Sequence, residues 1–143
     1  MVPKTVKIIS ILGLTPLLFG TMASLELTFI FHSYNDLVVE MSLVYAALVL
    51  SFLGGCVFGF EAIEFEPSKN KRIWLSIFPT IWALFSISLP HFVASCLALG
   101  FLLVFELDRR VVTTKKAPVW WLSLRFPLTV CVIVMLTITG FHD

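Results

Sequence analysis

The sequence predicts an all-α integral membrane protein, a bundle of five transmembrane helices forming one domain over residues 1–143, and three observations carry that prediction. The first is composition: 59% of residues are hydrophobic, 13% are charged and the mean hydropathy is +1.00, whereas an ordinary soluble domain carries about 25% charged residues. The second is that apolar residues gather into runs at 6–31, 37–60, 73–89, 91–107 and 119–140, against the roughly 20 residues that a bilayer core demands. The third is the one-sided placement of Lys and Arg between those runs.

The first run follows Lys4 and Lys7. Its basic start and apolar middle have the form of a secretory signal, but the run continues to Phe31 with only Glu26 interrupting it, so it reads as a retained first helix. The first arginine is Arg72, so an Arg-rich mitochondrial leader is not expected. Glu26 falls within this run, and an intramembrane carboxylate is by default a candidate functional group.

The second run holds SFLGGCVFGF at 51–60. Ser51, Gly55 and Gly59 recur at four-residue spacing on one helical face, with Gly54 beside them, in the small-xxx-small pattern that lets membrane helices approach closely. The face can serve the bundle itself or a neighbouring protein. The third and fourth runs are short and meet at Pro90, which makes them two short spanning helices or one re-entrant hairpin. The fifth carries Arg125. Pro16, Pro79 and Pro127 lie inside apolar runs, where each removes a backbone donor and bends a helix.

Lys4 and Lys7, then Lys69, Lys71 and Arg72, then Arg109, Arg110, Lys115 and Lys116 all belong to one side, and the opposite connections carry no Lys or Arg. The positive-inside rule therefore places the amino terminus in the cytoplasm or matrix and the carboxyl terminus outside. Trp74, Trp120 and Trp121 fall at the inner boundary as an interface belt, while Trp82 lies deeper and reads as an intrahelical packing residue.

Read in order, SFLGG at 51–55 with Gly59, then Trp74, Pro79 and Trp82, the pair Asp108 and Arg109, and Pro118, Trp120, Trp121, Leu124, Arg125, Leu128 and Thr129 form a pattern. It resembles the small multi-pass proteins grouped with transmembrane protein 69, of bacterial inner membranes and mitochondria. The resemblance covers nearly the whole chain and implies a helical membrane domain without a soluble module, located in the bacterial or mitochondrial inner membrane. It departs from that pattern after the glycine pair, where Cys56, Val57 and Phe58 stand in place of a basic residue followed by an aromatic one.

Among the polar groups, Arg125 must pair, snorkel to headgroups or line water, because an arginine in mid-bilayer costs about 2.5–3.5 kcal/mol on insertion scales. Glu61, Glu106 and Asp108 sit at the same level and are its candidate partners. Glu61, Glu64 and Glu66 precede Lys69, Lys71 and Arg72 in what reads as a solvated, self-compensating loop, and Glu106 with Arg110 as a surface pair. His32, His91 and His142 fall at the opposite face with Asp36 and Glu40, a set able in principle to hold a transition metal, although helix-start acids and interfacial histidines explain it more simply. No metal site is assigned. Cys56, Cys96 and Cys131 are isolated in apolar runs and read as small fillers.

No phosphate loop, nucleophile with its base or haem-ligand pair is present in the sequence, and a net charge of +1 without a basic patch excludes nucleic acid. No enzymatic activity is expected. The reading that follows is a noncatalytic subunit or assembly factor packed among membrane lipids and other transmembrane subunits, in an energy-converting or respiratory complex. A small transporter or channel using Glu26 and Arg125 is the first alternative. A protein that binds lipid or quinone, suggested by 14 Phe and the kinked helices, is the second.

Overall fold

The computed structural model describes residues 2–27, 32–63, 71–114 and 116–142, with the side chains of His32, Lys71, Arg72 and His142 left aside. Five α-helices are formed: α1 (Lys4–Ser24), α2 (Asn35–Ala62), α3 (Phe78–Ile87), α4 (Val93–Thr113) and α5 (Trp121–His142). Short 3-10 segments at His32–Tyr34, Lys71–Ser76 and Pro90–Phe92 lead into α2, α3 and α4. Helices α1, α2, α4 and α5 are each long and apolar enough to cross a membrane. The expected all-α, membrane-spanning fold is what the chain adopts.

The third element departs from a plain helix. At 10 residues, α3 is about 15 Å long, half a bilayer core, and it crosses only together with the tighter 3-10 stretch before it. Pro79 in its first turn suits a helix start, and the extended backbone of Leu89 before Pro90 ends the passage. Since α4 runs a full 21 residues, residues 73–107 do not form a re-entrant hairpin of two half-helices.

Antiparallel packing follows the chain. Tyr45 on α2 donates its hydroxyl to the Gly13 carbonyl of α1 at 2.8 Å. Gly20 of α1 lies so near Ser42 of α2 that no Cβ fits between them. Gly54 of α2 faces the Ser76 carbonyl and Pro79 ring, where an added Cβ would sit 2.7 and 3.1 Å away. Gly100 of α4 fits against Leu50 and Trp82, and Gly140 of α5 against Ala94. Helices α1 and α5 run parallel, with Thr21 and Thr139 hydroxyls 3.5 Å apart at one end. The start of α1 and the finish of α5 therefore lie at opposite ends of the bundle, as the charge pattern requires.

Helix α2 is the hub, contacting α1, α3 and α4, and α5 closes a four-helix ring against α4 and α1. The core is built from Leu43, Ala46, Leu50 and Leu53 of α2, Leu97, Phe101 and Val104 of α4, and Val132 and Leu136 of α5. Trp82 packs between helices: its indole N–H donates to the Cys96 carbonyl of α4 at 2.7 Å, an interhelical role in place of the intrahelical one expected.

Candidate functional site

The end of the bundle that carries Arg109, Arg110 and Lys116, here termed the basic end, concentrates the polar groups. Arg125 lies on the second turn of α5 with its side chain 7% exposed, and its Nε donates to Asp108 Oδ2 of α4 at 2.8 Å. Of the three candidate acids, Asp108 is the partner, and Arg125 does not snorkel. The other carboxylate oxygen accepts the Trp121 indole N–H at 3.0 Å. Two elements thus hold one acid: antiparallel α4 and α5 place residue 108 beside residues 121 and 125, which are one helical turn apart.

Glu61, at the last turn of α2, is 1% exposed and accepts from Lys116 Nζ at 2.6 Å. It is buried and paired across the bundle, so the solvated-loop reading fails for this residue, while Glu64, Glu66 and Lys69 lie outside the described residues. Glu106 pairs with Arg109 and Arg110 on the exposed flank of α4, at 2.9 and 3.1 Å. Trp121 turns inward, its ring edge-on to Phe60 at 5.0 Å. It serves the buried cluster and not the interface belt, because Asp108 supplies an acceptor that lipid lacks. Trp74 stays 75% exposed, as a belt residue should, and Trp120 is half-buried.

Beside this cluster α1 diverges. Its buried residues, Leu17, Gly20, Thr21 and Ala23, all lie in its second half, while Ile8, Ile9, Ile11 and Leu12 are exposed. Pro16 separates the two halves. A cavity of about 230 Å³ lies beside the first half, lined chiefly by Ile9, Gly13, Tyr45, Phe52, Arg125 and Thr129.

Glu26 does not belong to this region. Helix α1 stops at Ser24, Glu26 takes a left-handed φ of 55°, and its N–H donates to Ala23 O at 3.0 Å while that of Leu27 donates to Met22 O at 3.0 Å. This is a Schellman stop with Glu where Gly is usual. Glu26 is therefore an exposed residue just beyond the end of α1, and the cavity lined by Arg125 does not reach it.

The glycine run divides. Gly54 is buried against the Lys71–Ser76 segment and α3, but among the described residues an added Cβ on Gly55 or Gly59 would meet nothing within 4 Å. The small-residue face is thus open along those two glycines. Ser51 continues it into a shallow apolar groove of about 320 Å³ between α2 and α3, lined by Val44, Leu48, Ser51, Thr80, Ile81 and Leu84.

His91 sits exposed in the Pro90–Phe92 segment, and His32 and His142 have their side chains outside the described set. Among the described residues no three His, Cys, Asp or Glu side chains converge in a way that could hold a metal ion. The three cysteines are free and separate. Sequence reasoning gave Thr129 no role of its own and passed over Gly20 and Gly100; the four-residue step from Arg125 to Thr129 was the available signal for the first.

Helical span, interhelical polar clamps and lipid-facing apolar surface define a multi-pass helical membrane protein. Within that class, the chain matches the model of a family described as protein of unknown function (DUF3429) over residues 2–141, and it belongs to that family. No curated protein and no solved structure matches it. The family description specifies no activity, and nothing in the match extends the likeness to transmembrane protein 69.

Proposed function

We propose that the protein is a noncatalytic component of a bacterial or mitochondrial inner membrane, with its basic end inside, that packs as a subunit or assembly factor against a transmembrane helix of another protein. The observation that carries this reading is the groove between α2 and the short α3, continued by the open Gly55 and Gly59. Lipid tails gain little from a glycine-lined face, whereas a second helix gains close backbone approach and van der Waals contact there.

A photocrosslinking residue placed at Leu48 or Ile81, both exposed in the groove, should capture a transmembrane protein in native membranes, and the same residue at Phe126 on the exposed face of α5 should not. Gly55→Leu with Gly59→Leu should abolish capture while the bundle stays folded. Equal capture from groove and control, or capture of only a second copy of this chain, sinks the proposal.

The transporter reading draws less support, because Glu26 lies beyond the end of α1, away from the Arg125 cavity, and Arg125 is paired with Asp108. A lipid or quinone site is favoured by a separate observation.

A further inference from the structure

The cavity at the basic end combines an apolar wall with an unmet polar demand. Arg125 and Thr129, one turn apart on α5, both line it, and both are buried, Arg125 at 6% and Thr129 at 4% exposure. Among the described residues, Arg125 Nη2 and Thr129 Oγ1 have no hydrogen-bond partner. Buried polar groups in native proteins are almost always satisfied, and an orphan calls for an explanation such as a missing ligand. Elsewhere in the bundle the rule holds: Thr21, Ser42, Ser86 and Thr139 each donate to a carbonyl.

We infer that this cavity is a binding site for a lipid-soluble molecule with an apolar tail and a neutral carbonyl group, the carbonyl accepting from Arg125 Nη2 and Thr129 Oγ1 once these two side chains, whose orphan atoms are closed off in the empty bundle, turn toward it. Three features select that chemistry. The mouth lies between α1 and α2, where Ile9 and Phe52 line the cavity and are exposed, so entry is from the lipid side. The remaining lining, with Leu14, Leu17, Val49 and Phe101, is apolar and suits a chain. The guanidinium charge is already neutralised by Asp108 at 2.8 Å, so an anionic head would be repelled by that carboxylate, while a neutral acceptor completes the donors at no Coulombic cost.

An ester-linked phospholipid, through an acyl carbonyl with its phosphate left outside the cavity, and a prenylated quinone both present such a carbonyl, and experiment separates them. The protein is reconstituted in nanodiscs of diester phospholipid, in nanodiscs of the matching diether phospholipid, which lacks carbonyls, and in diether nanodiscs doped with a short-tailed benzoquinone. Native mass spectrometry then reads what remains bound. One retained diester molecule per chain identifies the lipid source, one retained quinone identifies the quinone source, and the diether lipid should be lost in either case. Thr129→Val should weaken retention about fivefold, the worth of one neutral hydrogen bond, and Ser10→Phe, which fills the cavity from its α1 wall, should abolish it.

Without ligand, Thr129→Val should unfold no more easily than the native chain, since it removes an unsatisfied hydroxyl; a purely structural threonine would cost stability. Equal retention of diester and diether lipid with no quinone bound, retention unaffected by both variants, or a destabilised Thr129→Val overturns the inference.

Discussion

The two ends of this bundle are joined by different physics. At the far end, α1 meets α2 across Gly20 and Ser42, α5 meets α4 across Gly140 and Ala94, and threonine hydroxyls on α1 and α5 approach each other. Small side chains let backbones close up, and dispersion does the rest. At the basic end the first half of α1 is mostly exposed, a cavity opens beside it, and the helices are tied by Arg125 with Asp108 and by Lys116 with Glu61. Close packing makes one end dense and intolerant of added volume. Charge pairing makes the other end tolerant of empty space and intolerant of losing a partner.

The largest effect should come from stranding a charge. Asp108→Leu leaves the Arg125 guanidinium buried and unpaired and should cost about 3–5 kcal/mol, measured by reversible unfolding in bicelles. Adding Arg125→Leu should recover most of that loss, because two apolar residues need no partner. If the double variant is as unstable as the single one, the basic end is held by something other than the pair.

At the far end, Gly20→Leu should cost about 1–3 kcal/mol or more, since Ser42 occupies the space its side chain needs and both backbones must shift. The same unfolding measurement decides it, and an effect near zero would mean that α1 is as loose there as at its other half. Removing a hydroxyl from that end is a milder change. Thr139→Val should cost about 0.6 kcal/mol, the mean for an interhelical hydrogen bond in a membrane protein, partly because Thr139 also bonds the Met135 carbonyl of its own turn. The smallest effect is expected at Gly55→Leu, within about 0.5 kcal/mol for the isolated chain, because none of the described residues stands against that position. A large loss there would show that the open face belongs to the bundle's own packing.

Much of the fold was legible because burial in lipid is a per-residue quantity. The runs at 37–60 and 119–140 correspond to α2 and α5 within a few residues, and Arg125 demanded a partner at its own depth, which Asp108 supplies. The first run was read too long: hydropathy continues to Phe31, but the left-handed turn at Glu26 ends α1 at Ser24, and such a stop is set by backbone hydrogen bonds that hydropathy does not measure. Trp121 was placed by depth alone, and it turned inward because a carboxylate on another helix accepts its indole proton.

The glycines mark the boundary most clearly. Spacing alone put Ser51, Gly55 and Gly59 on a common face, a property of one helix and its 3.6-residue turn. Which glycines are filled by a neighbour is a matter of where two helices cross. That depends on every side chain between them, and so among the described residues Gly20, Gly54, Gly100 and Gly140 carry the close contacts while Gly55 and Gly59 carry none. Composition determined that the chain is built of helices apolar enough to span a membrane. Distances between residues far apart in sequence, which no local pattern encodes, decided which acid binds Arg125 and where the cavity opens.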